Sequence, residues 1–230
     1  MDMNDVKSIY DNSVEKEVKK IQDSNGNIIW YKVPDGYRKV EYLESSGKQY
    51  IDTGWVNNNK AIHSYKMKFQ AIALTEGGFF GQFSSTAIRP GTLWMSVNAH
   101  EFRMSIGSDG SAISKVSYTY DTNIHTFTNE IDEGNKTYRV TYDNVESYKT
   151  YSGTVYSDIS ICLFRSSIST YKPISTRIFY FIICENGQEA RKLIPMLRNS
   201  DNKPGMYDLV NDVFYTNAGT GEFTWGEISN

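Results

Sequence analysis

Apolar and polar residues alternate at every second position along much of this chain. In residues 62–72, IHSYKMKFQAI, the two classes separate cleanly onto two faces. The apolar face carries Tyr65, Met67, Phe69 and Ala71, and the polar face carries Ser64, Lys66, Lys68 and Gln70. A helix would scatter both classes around its circumference, so the pattern predicts a strand with one buried face.

Several further stretches predict strands, and turn signals separate them. Two hairpins are expected, one from residues 92–98 with 101–106 and one from 125–131 with 136–144. The near-continuous apolar runs 159–165 and 177–184 predict central strands covered on both faces, and the Tyr/Ser/Thr-rich segment 148–156 predicts an edge strand or a loop. No sustained amphipathic helix appears, so we expect an all-β sandwich of about a dozen short strands.

The segment 203–226, KPGMYDLVNDVFYTNAGTGEFTWG, predicts three short strands near the end of the chain. Asn211-Asp212 lies between two apolar runs as a two-residue turn signal. Gly219 and Gly221 permit a second sharp reversal because glycine reaches positive φ without a Cβ clash. These strands need a packing partner, and residues 40–55 are the expected one.

A family resemblance rests on these two stretches. The opening YLESSGKQYIDTG and the closing GMYDLVNDVFYTNAGTGEFTWG resemble the two ends of a laminin-G-like, concanavalin-A-like jelly-roll module, over about residues 37–226. The resemblance implies a jelly-roll domain over residues 37–230. Such modules occur in bacteriophage virion proteins and in surface proteins of gut bacteria.

Residues 1–36 differ from the rest and predict an N-terminal arm. Val14, Val18 and Ile21 have helical spacing, but Asn25-Gly26 between two apolar runs favours a hairpin with strands at about 17–22 and 27–32. A lone hairpin is marginal in water, so it should rest on the main domain, on its own copies or on another protein. It also resembles N-terminal attachment segments of phage structural proteins, which implies contacts with other virion proteins.

Charge and hydropathy exclude several classes of partner. The formal net charge is −3, which gives no attraction for a phosphate backbone, so no nucleic-acid partner is expected. The chain contains no apolar run of membrane-span length and no signal-peptide core, so we expect no membrane insertion. We expect synthesis in the host cytoplasm, with assembly into a virion as the route out of the cell.

The two cysteines and three histidines carry no clear chemistry. Cys162 and Cys184 lie in apolar runs and predict buried reduced thiols, with a disulfide between neighbouring strands as the alternative. The histidines are too widely separated for a zinc site. Calcium occurs in laminin-G-like relatives, which leaves calcium open as a ligand here. The four aspartates considered for it form no ordered series: Asp52, Asp109, Asp121 and Asp143.

One motif resembles a catalytic one. Residues 129–133, Asn-Glu-Ile-Asp-Glu, resemble the paired carboxylates of laminarinase-type glycosidases but are one residue short of that pattern. Alternation places Glu130 and Asp132 on one face and Glu133 on the other. Gly134-Asn135 follows at once, which predicts a solvated hairpin turn and no enzyme activity.

An outward polar and aromatic set is the candidate binding surface. If Leu93, Met95 and Val97 fill the core, Trp94 faces outward with Ser96, Asn98 and, from the paired strand, Arg103. Aromatic faces stack on sugar rings, while amide, guanidinium and hydroxyl groups supply directional hydrogen bonds. The alternative is that Trp94 packs under a loop or against a second subunit. A second patch consists of Tyr148 and Tyr151.

Three functions follow from these observations. The leading one is a bacteriophage virion structural protein (a fibre, decoration or tail component). It would be a homo-oligomer held by residues 1–36, and its jelly roll would adhere to a host-surface glycan. The alternative is a carbohydrate-binding module of a bacterial surface protein. The third is a laminarinase-like glycosidase, which the carboxylate spacing disfavours.

Overall fold

The computed structural model describes residues 18–82, 93–98, 101–106, 113–152, 155–165 and 174–229. Within these ranges the protein consists of strands, turns and loops without a helix, so none of the described residues belongs to a helix able to cross a membrane. The strands of the first half are β1 (Lys20–Gln22), β2 (Ile28–Tyr31), β3 (Tyr37–Val40), β4 (Leu43–Ser46), β5 (Ile51–Asp52), β6 (Ser64–Ala73), β7 (Gly77–Gly81), β8 (Leu93–Asn98), β9 (Glu101–Ile106) and β10 (Ile113–Ser117).

The remaining strands run from residue 125 to residue 229. They are β11 (His125–Asp132), β12 (Thr137–Tyr142), β13 (Val145–Thr150), β14 (Cys162–Leu163), β15 (Ser175–Glu185), β16 (Gln188–Arg198), β17 (Pro204–Asp208), β18 (Val213–Thr216), β19 (Thr224–Trp225) and β20 (Ile228–Ser229). All their pairings are antiparallel, which is typical of a sandwich built from hairpins and Greek-key connections.

Two sheets form the sandwich, and the N-terminal hairpin β1–β2 is separate from both. The larger sheet has the order β13-β12-β11-β6-β15-β16-β17-β18, with β3, β4, β19 and β20 paired beside that path. The smaller sheet has the order β10-β9-β8-β7-β14-β5. The fold is thus the predicted all-β sandwich with an N-terminal hairpin.

An aromatic cluster joins the inner faces of the two sheets. Phe69 of the larger sheet is fully buried, and its ring centroid lies 4.9 Å from that of Phe127 and 5.2 Å from that of Phe79 in the smaller sheet. Phe102 of the smaller sheet lies 4.7 Å from Phe127. The predicted inward set of β6 is confirmed, since Tyr65, Met67, Phe69 and Ala71 are all at most 1% exposed.

Both predicted hairpins are confirmed, but one predicted central strand differs. β8 pairs with β9 and β11 with β12, while β13 is the edge strand expected near residue 148. β15 is central, yet only alternate residues are buried: Phe181 and Ile183 face the core, whereas Ile182 is half-buried on the outer face. The continuous apolar run 177–184 therefore gave a wrong prediction of burial on both faces, because the outer face of this strand is only partly covered.

The opening and closing stretches meet as predicted. β19 pairs with β4, and the amide nitrogen of Gln49 donates to the carbonyl of Glu222 at 2.8 Å. Gly221 has φ +71°, as the predicted reversal requires. Gly219 is needed for a different reason, since a Cβ there would lie 2.2 Å from the carbonyl oxygen of Lys48.

The predicted two-residue turn at Asn211-Asp212 is wrong in length. Asp208 pairs with Val213, so four residues connect β17 to β18. The buried carboxylate of Asp208 accepts hydrogen bonds from the backbone N–H of Val210 and the side-chain amide of Asn211. These bonds stabilise the longer loop, which dipeptide statistics alone do not anticipate.

The N-terminal hairpin packs on the outer face of the larger sheet. Ile28 is 3% exposed and forms a second apolar cluster with Ile194, Met196, Tyr207 and Leu209. The backbone N–H of Ile28 donates to Glu189 at 2.8 Å, and the ammonium of Lys20 donates to the carbonyl of Leu209 at 3.0 Å. The hairpin thus rests on the main domain, one of the three supports expected for it.

Both cysteine thiols are free. Cys162 is buried on β14, where burial raises the pKa of its thiol to about 12. Cys184 is half-buried on the outer face of β15, and burial raises the pKa of its thiol as well. Both groups are therefore protonated and unreactive at neutral pH.

The docking of the hairpin predicts that Ile28→Ala destabilises the whole domain by about 2–4 kcal/mol, the usual cost of emptying a buried isoleucine site. The matched control is Ile29→Ala, because Ile29 is 47% exposed and its truncation should change stability by less than about 0.5 kcal/mol. Urea unfolding curves of both variants measure the difference. Equal midpoints for the two variants would show that the hairpin adds nothing to the domain.

Candidate functional site

An open groove of 530 Å³ crosses the outer face of the larger sheet, on β6, β11, β12 and the edge strand β13. Its polar lining comes from alternate residues of β6, β11 and β12, whose other residues fill the core, and from exposed residues of β13. The residues that line the groove include Ser64, Lys66, Glu130, Asp132, Arg139, Glu146 and Tyr148. The period-2 pattern that buries Phe69 and Tyr65 thus creates this surface.

A cross-strand row of side chains forms the floor of the groove. The register places Tyr148 opposite Arg139, Arg139 opposite Glu130, and Glu130 opposite Lys66. The Lys66 ammonium lies 2.6 Å from one oxygen of Glu130, and the Arg139 Nε donates to the other at 2.9 Å. With three inter-strand spacings, the row is about 14 Å long, enough to contact more than one sugar ring.

Two acidic groups of the groove, Glu130 and Asp132, are held in the ionised form. Burial alone would raise the pKa of Glu130, but the hydrogen bonds from Lys66 and Arg139 outweigh it and lower that pKa. Hydrogen bonds from the backbone and side chain of Asn135 lower the pKa of Asp132. A glycosidase needs one carboxyl group that keeps its proton, and neither group meets that requirement.

The third carboxylate of the catalysis-like motif differs from the prediction of a solvated turn. Glu133 is 7% exposed and accepts a hydrogen bond of 2.5 Å from the hydroxyl of Tyr151. It also contacts the ammonium of Lys136. The carboxylate points away from Glu130 and Asp132, as alternation predicted, and serves to anchor the segment after β13.

The two tyrosines of the second predicted patch are not on one surface. Tyr148 is 60% exposed and lines the groove. Tyr151 is 7% exposed, and its ring lies 6.1 Å from that of buried Tyr138. The backbone N–H of Tyr151 donates to the carbonyl of Lys136 and so continues the register of β13 by one residue. Because Tyr151 lies three residues beyond Tyr148, alternation places its ring on the opposite, inner face. Only Tyr148 is available to a ligand.

The first predicted patch lies on the smaller sheet. The backbone register places Ser96 opposite Arg103, but the side chains of Trp94, Ser96 and Asn98 lie outside the described part of the structure. The guanidinium of Arg103 lies 2.7 Å from Glu101, which Lys115 also approaches at 3.2 Å. The binding role of this patch stays a prediction, with Arg103 already paired.

The aspartates considered for calcium do not converge. Asp121 and Asp143 bind opposite ring nitrogens of His125, at 2.9 and 2.8 Å. Asp52 accepts a hydrogen bond of 2.7 Å from Ser160, and Asp109 lies outside the described residues. Across the described ranges no three His, Cys, Asp or Glu side chains are arranged to hold a metal.

The contacts of Asp121 and Asp143 with His125 predict that the stability of the protein depends on pH. Burial would lower the pKa of this imidazole from 6.5, but the hydrogen bonds to Asp143 and Asp121 raise it, and its other close neighbours, Tyr142 and Tyr118, are neutral. A raised native pKa contributes stability that is complete below pH 6.5 and is lost as the pH rises through the native pKa.

We therefore expect urea midpoints of the native protein to fall between pH 6 and pH 9 by more than those of His125→Gln. The glutamine variant keeps a hydrogen-bonding side chain but has no proton to lose. Parallel midpoints over that range would contradict a charged His125.

Lys66 and Arg139 are site residues that the sequence interpretation missed. Their signal was present, because both lie on the polar face of an alternating strand. However, β6 and β11 are separated by more than 50 residues in the chain and pair only through the fold of the sheet. Nothing in the local pattern shows that Lys66 and Arg139 meet at one carboxylate.

No protein-family model and no curated protein matches the chain. Solved structures do. A Bacteroides ovatus protein, presented as a candidate carbohydrate-binding protein, has a TM-score of 0.54 at 11% identity over 84% of this chain, which spans 61% of that protein's length. A heptameric SAP-like pentraxin from Limulus polyphemus has a TM-score of 0.52 at 8% identity, with 86% of this chain and 98% of that chain covered.

A third solved structure, the mouse laminin α1 chain domains LG4-5, is more distant. Its TM-score is 0.41 at 13% identity, with coverage of 77% of this chain and 47% of that chain. The two structures with TM-scores above 0.5, at 11% and 8% identity, establish the fold and nothing further. The chain has the laminin-G-like, concanavalin-A-like jelly-roll fold that its two ends resemble.

Proposed function

We propose that this protein is a carbohydrate-binding module without catalytic activity, and that the groove on β6, β11, β12 and β13 is its glycan site. The observation that carries the proposal is an exposed tyrosine ring, Tyr148, at one end of a fixed row of hydrogen-bonding side chains. An open groove with an aromatic face and directional polar groups has the composition that sugars require.

The charged groups of the polar row are paired with one another before any ligand arrives. Lys66 and Arg139 hold the Glu130 carboxylate from two sides, and Asn135 holds Asp132 with a backbone bond of 2.9 Å and a side-chain bond of 2.7 Å. Groups that are ordered in the free protein lose little entropy on binding, which favours affinity. A shallow groove with one aromatic ring still implies weak binding, with dissociation constants on the order of high micromolar to millimolar.

The fold supports this function over the other two considered. It is shared with the Bacteroides ovatus protein presented as a candidate carbohydrate-binding protein. Against the glycosidase alternative, the pKa values of Glu130 and Asp132 are both lowered, so neither of these two carboxyl groups is suited to donate a proton.

The virion setting is a finer proposal that rests on the attachment-like hairpin and the resemblance to phage modules. On a particle, with residues 1–36 contacting other virion proteins and many copies displayed, weak single sites would add up through avidity. Location in a virion and self-assembly are part of this proposal. Mass measurement of the purified chain and its detection in particles test both.

The groove predicts that Tyr148→Ala weakens glycan binding about fivefold, since stacking on an aromatic ring contributes about 1 kcal/mol. Tyr148→Phe keeps the ring and should retain most of the affinity. A glycan array identifies a bound sugar, and calorimetry on that sugar measures the variants.

Two variants serve as controls. Val145→Ala changes another exposed residue of the same edge strand outside the groove lining, and should bind as the native protein does. Trp94→Ala tests the patch on the smaller sheet. Loss of binding in Trp94→Ala together with native binding in Tyr148→Ala would move the glycan site to the smaller sheet.

A further inference from the structure

We propose that the groove accepts uncharged glycans and rejects acidic ones, because its cations are already paired and its carboxylates outnumber them. This inference rests on the proposed glycan-binding function and names the class of sugar. It comes from the arrangement of charge in the groove rather than from any bound molecule.

Both cations that line the groove already have carboxylate partners. Lys66 lies 2.6 Å from Glu130, Arg139 donates to the same carboxylate, and Arg139 also lies 3.6 Å from Glu146. An acidic sugar that sought either cation would have to displace Glu130 from a two-sided ion pair. The carboxylate released in that exchange would remain beside the ligand's own negative charge.

The lining as a whole is slightly negative. Its charged side chains are two cations, Lys66 and Arg139, and three carboxylates, Glu130, Asp132 and Glu146, which gives a formal balance of −1. Asp132 accepts hydrogen bonds from Asn135 and forms no ion pair with a lysine or an arginine among the described residues; the His63 imidazole acts on it only as a minor charge that lowers its pKa. Charges of like sign at such short range discriminate against a partner, which is a common basis of specificity.

Uncharged sugars encounter no such penalty. A lysine has three donors and an arginine five, so Lys66 and Arg139 can donate to hydroxyl groups while they keep Glu130. The carboxylates accept hydrogen bonds from hydroxyl groups in turn, since each oxygen has more than one acceptor position. The row therefore offers both halves of the hydrogen bonding that a neutral ring needs.

Lys68 is a further cation on this face of the sheet that could offset this balance. It lies one row along β6 on the same face, opposite Thr128 and Ile182, and it is not part of the groove lining. Its contribution can be measured by substitution to glutamine.

The experiment compares matched neutral and acidic sugars. Lactose is tested beside sulfated lactose and sialyllactose, and galactan beside polygalacturonate, at low and high salt by calorimetry or on an array. We expect acidic members of each set to bind the native protein at least about fivefold more weakly than the neutral member. Neutral binding should be insensitive to salt, since no net charge is neutralised.

Glu130→Gln provides the decisive variant, since it releases Lys66 and Arg139 and removes one negative charge. We expect it to gain binding of the acidic sugars, and that binding should weaken as salt is added. Glu222→Gln is the control for total charge, because this exposed side chain lies outside the groove. Thermal unfolding of each variant verifies the fold, and Glu146→Gln offers a second removal of groove charge that leaves the Lys66–Glu130–Arg139 contacts in place.

The outcomes separate the two proposals. If the native protein binds acidic sugars as tightly as neutral ones, the inference is wrong and glycan binding stands. The inference is also wrong if neither Glu130→Gln nor Glu146→Gln gains binding of acidic sugars. It is wrong as well if the native protein binds acidic sugars and Lys68→Gln abolishes that binding. If the native protein binds no glycan on an array that includes these sets, the proposed function itself fails.

Discussion

The contact between Phe69 and the rings around it is the interaction on which the rest of this structure depends. Phe69 lies on β6 at the centre of the larger sheet, and its ring meets Phe127 and Phe181 beside it and Phe79 and Phe80 across the sandwich. Burial of five phenylalanine rings in one cluster fixes the separation and the register of the two sheets. Because side chains alternate, that register also fixes which residues of β6 and β11 reach the outer face.

The outer face of the larger sheet has two portions, one covered by the N-terminal hairpin and one open. Over β16 and β17 the face is apolar, and the hairpin β1–β2 covers it through Ile28 and its neighbours. Over β6, β11, β12 and β13 the face is polar and forms the groove. One sheet thus has a buried inner side, a covered outer portion and an open outer portion, and its edge strand presents Tyr148 at the end of the open portion.

The charged row is the feature of the groove on which the proposal of binding without catalysis depends. Glu130 accepts hydrogen bonds from two cations, which lower its pKa and keep it ionised. The same pairing neutralises the positive charges of Lys66 and Arg139 within the groove. A surface of this kind presents many hydrogen-bonding groups and little net charge, and the lowered pKa values of Glu130 and Asp132 keep both of these carboxyl groups ionised.

The sequence by itself determined the fold class, the strands and the inward set, since the period-2 pattern of residues such as Met67 and Phe69 follows from pleated backbone geometry. It also predicted that the two ends of the jelly roll meet. Only the tertiary structure decided which strands became neighbours. Lys66 and Arg139 meet at Glu130 because β6 lies beside β11, and this pairing is set by packing of distant core residues rather than by local pattern. For the same reason the docking of the hairpin on the domain could not be predicted from periodicity. The inward side chain of Tyr151, by contrast, follows from alternation, since it lies three residues beyond Tyr148 and therefore on the opposite face.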